Sequence, residues 1–276
     1  MSTQVKIHEY SSCVTCSIKP MPAAEGFPSR RIADDLRESI HIGRLAPGDE
    51  MPSENELAAE YDTSRKTARS ALAILRSEGL ITTGQGRRAI VRPKGHVGIT
   101  VTGSNYRKHR GLGLPGFNAQ ALEQGQRPRQ EIHEVSHVPA PPEVAARLEI
   151  DEGADVVVRR LTFWLDDIPV ALHDGYFPVS LAAGTAIEHP HRIRGGAHAL
   201  IEDPAGPIRR HIARSVDEIS GRMPTPDEVR QLRLPPGVPV FRILRTVYDS
   251  EGQPVEVQDS VAAGDRHGFC YEVDMR

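Results

Sequence analysis

Apolar positions at the start of the chain recur at helical spacing and then change to alternation. Ile32, Ala33, Leu36 and Ile40 fall on one helical face, which predicts a helix over Ser29 to Gly43, with Gly43 as its stop. The turn-rich LAPGDEMPSE follows. Ser53 with Glu56 three residues on is a capping-box pattern, opening a short second helix that turns Leu57, Ala58 and Tyr61 inward. Asp62 and Thr63 make the turn, and Ser64 caps a third helix running to about Glu78, with Gly79 beyond its end. In that helix Ala68, Ala71, Leu72, Ile74 and Leu75 share one arc, and Arg65, Lys66, Arg69 and Arg76 occupy the other. LITT and RRAIV are strand candidates on either side of Gly84-Gln85-Gly86, a predicted hairpin.

Beyond Pro93 the pattern lapses into a stretch rich in glycine and basic residues, GSNYRKHRGLGLPG, read as a linker. Two similar segments then appear about 85 residues apart, PPEVAARLEIDEGADVVVRRLTFWLDDIPVAL and TPDEVRQLRLPPGVPVFRILRTVYDSEGQPVEV. Each predicts a short helix, a glycine turn, a β-branched strand, a polar turn and a return strand opening at Pro-Val. The expectation is an α+β fold: a winged helix-turn-helix, then a mostly antiparallel α/β domain with pseudo-twofold character and a cleft between its halves. The divisions expected are a disordered tail over 1–26, a first domain over 27–92, a linker over 93–116, and a second domain over 117–276.

Charge sharpens this picture. The 276 residues carry a formal net charge of −3, which by itself argues against nucleic acid. Yet Thr63 to Lys94 holds eight basic residues against the single acid Glu78, whereas Phe27 to Asp62 holds four basic and nine acidic. A local field of this kind attracts phosphate on a protein that is acidic overall. No apolar run is long enough to span a membrane and no secretory leader is evident, so a cytoplasmic protein is expected. Cys13 and Cys16 form a C-x-x-C near His8, a motif that lacks a fourth ligand. No metal and no cofactor are expected.

Long basic side chains near the start of a packed helix can reach base edges in the major groove, while helix N-termini at Ser53 and Ser64 offer N–H groups to phosphates. The segment PSENELAAEYDTSRKTARSALAILRSEGLITTGQGRRAIV resembles the GntR family of bacterial regulators over about 65 residues. The resemblance implies that Ser53, Asn55, Ser64, Arg65, Lys66, Thr67, Arg69, Gln85 and Gly86 lie at double-stranded DNA, joined by Arg87 of the wing. Asn55 departs from the family pattern, in which a basic residue is common there.

The stretches VVVRR, DDIPVALHDGYFP and SEGQPVEVQDSVAAGDRHGF are similar to the UTRA effector-binding domain of the HutC subfamily, which shares its fold with chorismate lyase. That similarity implies a homodimer whose small-molecule effector alters the spacing of two DNA-binding heads. Arg159, Arg160, Phe163, His173, Tyr176 and Glu256 are the candidate effector contacts, with Arg159 and Arg160 on opposite faces of their strand. Arginine is absent from Leu161 to Trp164, so a flat, apolar ligand against Phe163 and Trp164 is expected in preference to a sugar phosphate. The function expected is a repressor on an imperfect palindromic operator, modulated by the effector. Two alternatives stand beside it: a ligand-independent DNA-binding dimer, and an enzyme built on the chorismate lyase-like domain, for which no catalytic constellation is apparent.

Overall fold

The structure, a computed structural model, describes residues 27–83, 88–92, 99–102 and 115–271. The tail with Cys13 and Cys16, most of the expected linker, and Gln85, Gly86 and Arg87 of the wing lie outside the described residues.

Three helices open the fold: α1 (Pro28–His41), α2 (Glu54–Glu60) and α3 (Arg65–Ser77). Pro28 supplies a fixed φ in the first turn of α1, where its missing N–H costs nothing. Ser53 and Glu56 form a reciprocal cap on α2, with Ser53 Oγ accepting from Glu56 N at 3.2 Å and Glu56 Oε2 accepting from Ser53 N at 2.7 Å. Ser64 Oγ accepts from Thr67 N at 3.1 Å to start α3. Ala33, Ala68 and Ala71 are fully buried, and their small size lets α1 and α3 pack closely around Ile32, Leu57 and Leu75. Ile40, Tyr61 and Ile74 pack only partly against this core.

The predicted hairpin is β1 (Ile81–Thr83) antiparallel to β2 (Ala89–Val91). A third stretch joins it without prediction: Gly48 N and Met51 N donate to Val91 O and Ala89 O at 3.0 and 2.7 Å.

The remaining chain builds a six-stranded antiparallel sheet from β4 (Pro128–Pro139), β5 (Asp155–Leu165), β6 (Ile168–Pro178), β7 (Ile212–Arg222), β8 (Val240–Asp249) and β9 (Pro254–Ala263), in the order β4-β5-β6-β9-β8-β7. Each half is strand, short helix and hairpin, the helices being α5 (Pro142–Leu148) and α8 (Pro226–Gln231). The internal repeat is therefore real, but each copy begins one strand earlier than its sequence signal. β4 and β7 are edge strands with mostly polar, half-exposed residues, which removes the alternation that marks the inner strands.

Both faces of the inner strands are covered, so the run Val156, Val157 and Val158 is buried throughout. Val156, Val158, Tyr176 and Val257 pack under Val144, Ala145 and Leu148 of α5. Val157, Phe177, Val247 and Val255 pack on the opposite face with Ile187 and Ile201. That second face carries α4 (Gly116–Glu123), α6 (Val179–Ala182), a 3-10 turn (Ala186–Glu188) and α7 (Gly196–Glu202). Within the segment read as a linker, β3 (Ile99–Thr102) pairs in parallel with β10 (His267–Cys270). No helix among the described residues is long and apolar enough to cross a membrane.

Leu75→Ala should destabilise the helical head by about 2–5 kcal/mol in urea unfolding of the full chain, because a fully buried side chain would be replaced by a cavity. A loss under about 0.5 kcal/mol, the range of surface changes, would contradict the packing described.

Candidate DNA-reading face and effector pocket

Arg65, Lys66 and Arg69 project from the first turns of α3 into solvent, with Ala68, Ala71 and Leu72 behind them in the core. Asn55 is exposed in the first turn of α2. The hydroxyls of Ser53 and Ser64 are engaged in capping, and Ser64 Oγ also lies 2.9 Å from Thr67 Oγ1. Arg69, read from sequence as a DNA contact on the basic arc of the helix, forks onto Glu54 of α2 at 2.8 and 2.9 Å, and Arg65 lies 3.8 Å from the same carboxylate. The Arg69 hydrogen bond holds the Glu54 carboxyl below the usual carboxylate range. Arg69 is largely exposed, so water screens this pair and it does not lock the guanidinium away from a ligand.

On the helix-bearing face of the sheet without α5 lies a cavity of about 1090 Å³. Glu256 is its buried floor at 3% exposure. Glu256 Oε2 accepts from His198 Nε2 at 2.5 Å and from Gln258 Nε2 at 2.8 Å. Burial alone would push this carboxyl up; the adjacent His198, its hydrogen bond, His173 and Gln258 outweigh that and hold it below the usual range. Oε1 has no hydrogen bond among the described residues. A Cβ on Gly175 would lie 3.1 Å from Oε1 and 3.4 Å from His173 Nε2, so the missing side chain leaves both atoms room. His173 Nδ1 meets Ser260 Oγ at 2.8 Å, and burial pushes the imidazole pKa down. Its ring stacks on Phe163 at 5.0 Å, and Phe163 on Phe117 of α4 at 4.5 Å. Across the cavity Arg245 forks onto Asp217 at 2.6 Å.

Phe163, His173 and Glu256 thus line the cavity, as does Arg159, but in another role. Its guanidinium donates to the carbonyls of Ile187, His189 and His191 at 2.8, 2.7 and 3.0 Å, clamping the loop that follows the 3-10 turn. Arg160 and Tyr176 do not reach the cavity. Strand alternation puts both on the opposite face, where Arg160 pairs with Glu134 and Asp174 and the Tyr176 hydroxyl donates to Asp174 at 3.3 Å. Trp164 is also outside it, held between the guanidinium groups of Arg129 at 4.3 Å and Arg233 at 5.1 Å. Among the lining residues that the sequence reading did not single out, besides His198 and Gln258, are Arg192 and Arg194, exposed in the loop before α7 and without an ion pair among the described residues. Their loop has neither periodicity nor a repeat partner, and only the R-x-R-G-G string marked it.

Two family models match the chain: "Bacterial regulatory proteins, gntR family" over residues 28–91 and "UTRA domain" over residues 123–268. An HTH-type transcriptional regulator of Streptomyces coelicolor is 30% identical over 249 residues, covering 88% of this chain and 91% of the relative. The HTH-type transcriptional repressor NagR of Bacillus subtilis is 28% identical, with 88% and 93% covered. A solved GntR-family transcriptional regulator superposes with a TM-score of 0.66 at 28% identity, over 90% of this chain and 98% of that one. PhnF of Mycobacterium smegmatis shares the fold, with a TM-score of 0.55 at 24% identity over 89% of this chain and all of that one.

His267, on the cavity wall, is held by burial at about 4 against an ordinary 6.5. A histidine depressed in this way contributes stability that is complete above about pH 6.5 and is lost as pH falls toward 4. Urea unfolding at pH 7.5 and pH 5 should show the wild-type chain losing more stability than His267→Gln, by on the order of 1–2 kcal/mol. Equal losses would remove His267 as a source of acid sensitivity.

Proposed function

The chain belongs to the GntR family of bacterial regulatory proteins, in its UTRA-bearing branch, and on that footing we propose that this DNA-binding, effector-modulated transcriptional regulator is a homodimeric repressor of the cytoplasm, not an enzyme. Each protomer places one α3 in the major groove of one half of an imperfect palindrome. Residues 27–92 form the reading head and 117–276 the effector and dimerisation domain. Ser53, Ser64 and Thr67 set the head on the phosphates through the N-terminal backbone of α2 and α3, and Asn55 lies beside them. Arg65, Lys66 and Arg69 supply the contacts to bases and backbone, with Arg69 exchanging Glu54 for the duplex.

The observation that carries the effector half of this reading is Glu256: a buried carboxyl on the lining of a large cavity, with one oxygen held by His198 and Gln258 and the other without a hydrogen bond among the described residues. A domain that only dimerised would have no use for so large a cavity with convergent polar groups on its wall, the arrangement typical of small-molecule sites. The effector presents a hydrogen-bond donor to Glu256 and His173, an apolar face to Phe163, and a negative group toward Arg192 and Arg194. This adds a negative group to the flatter, more apolar ligand expected from sequence, because the arginines come from a loop and not from the strand of Phe163. Effector binding must favour the arrangement of heads that does not fit the operator, since equal affinity for both arrangements shifts nothing.

In a competition between genomic fragments at fixed salt, the wild-type chain should select a fragment with inverted half-sites, and Arg65→Ala should lose about 1–3 kcal/mol of base discrimination. An unchanged operator preference would remove Arg65 from the reading face. Among metabolites screened by thermal shift, those that raise the melting temperature should lose most of that effect with Glu256→Gln. Retention of the full shift would separate the binding site from this cavity.

A further inference from the structure

The C-terminal end of α3, far from its reading face, meets the turn between α8 and β8. Gly79 and Gly237 both have positive φ and lie backbone to backbone. A Cβ on Gly237 would stand 2.4 Å from Ser77 O and 2.5 Å from Gly79 N, and one on Gly79 would stand 3.0 Å from Gly237 O. Approach this close is open only to glycine. Arg92, the residue after β2, reaches over the same spot and donates from Nη2 to Pro236 O at 2.9 Å. Helix end, wing exit and turn are thus joined by two glycines and one guanidinium.

The turn is in turn fastened to the strand that closes the effector cavity. Pro239 O accepts from Gly264 N at 2.9 Å, and a Cβ on Gly264 would be 2.7 Å from that oxygen. Arg266 donates to Leu232 O at 2.7 Å, Arg233 O at 3.2 Å and Pro169 O at 2.5 Å. The next residues are β10, whose His267 and Phe269 line the cavity and whose backbone carries β3. On the other side of β3, Gln120 of α4, also a lining residue, donates to Thr100 O.

We propose that the Pro235–Pro236–Gly237 turn is a seat for the end of the recognition helix, and that this seat and the β10 wall of the effector cavity move as one, so that the state of the cavity sets where the reading face points. The α3 helix has 13 residues, so at 1.5 Å per residue its reading end lies about 18 Å from the seat. The latch therefore orients the head without covering Arg65 or Lys66. The wiring of seat to cavity rests on the effector reading above; the seat itself does not. Coupling between sites is reciprocal, so disturbing the seat must be felt at the cavity wall even with no effector present.

Hydrogen exchange on the full-length chain without ligand or DNA tests both parts. Gly237→Ala combines a contact clash with a φ of +76°, whereas Gly252→Ala places the same strain at +81° with nothing within 4 Å, and so serves as the control. Gly237→Ala should raise exchange about tenfold at the amides of 77–80 and detectably at 267–270, with Gly252→Ala leaving both unchanged. Arg92→Gln, which removes the Pro236 hydrogen bond without backbone strain, should give a smaller change at the same two places. Unchanged exchange at 77–80 in both Gly237→Ala and Arg92→Gln would overturn the seat. Faster exchange at 77–80 with 267–270 untouched would overturn the wiring and leave the regulator reading intact. Loss of sequence-specific DNA binding by the wild-type chain would instead strike that reading and not the seat.

Discussion

The pairing of β6 with β9 down the middle of the sheet is the contact from which the effector domain takes its form. His173 stands opposite Ser260, Gly175 opposite Gln258 and Tyr176 opposite Val257. Because neighbouring side chains alternate, this register sends His173, Gly175 and Phe177 to one face with Gln258 and Ser260, and sends Asp174 and Tyr176 to the other with Val257 and Asp259. A slip of one residue would exchange the two sets. One face would then present carboxylates and a tyrosine to α7, while the histidine would be forced under α5. The two repeats meet at this pair, so neither half alone makes a cavity.

Each face answers its own electrostatic requirement. On the α5 side, acids and arginines from successive strands neutralise one another: Glu134 and Asp174 with Arg160, Asp259 and Glu143 with Arg242, and Glu218 with Arg147. Most of these groups retain contact with water, so they contribute solubility and strand register more than stability. On the cavity side, Asp217 is answered by Arg245, and the Arg159 guanidinium is absorbed by main-chain carbonyls. Glu256 has His198 and Gln258 on one oxygen and no hydrogen bond among the described residues on the other. The contrast separates structural charge from charge held ready for something that arrives.

The reading head was legible almost residue by residue, because its signals are local. Ser53 with Glu56, Ser64 before a basic helix, and the apolar arc of α3 each act within a few residues, and capping and amphipathicity need no distant partner. The repeat was legible for the same reason in its inner hairpins, where β-branched residues concentrate. β4 and β7 carry too many polar residues to announce themselves, and they exist because an inner strand offers them an unpaired edge. Phe163, His173 and Glu256 were visible as chemistry in the repeat. Arg160 and Tyr176 were misplaced because the face a strand residue occupies follows from register, which the hydrophobic pattern of so thoroughly buried a sheet does not declare. Arg192 and Arg194 owe their position to the Arg159 clamp on the preceding loop, a tertiary contact with no local trace. The fork of Arg69 onto Glu54 likewise depends on the angle between two helices.

The parallel pair of β3 and β10 brings together two segments about 165 residues apart in the chain. Closing so long a loop is entropically expensive and slow compared with forming the hairpins on either side of it. The helices of the head pack through contacts close in sequence, while β3 waits for a partner about 165 residues further along the chain. The sheet can assemble in the meantime, but its cavity stays open along one wall until β10 arrives. The cavity is thus finished by the slowest contact in the chain, after the parts on either side of it have already taken shape.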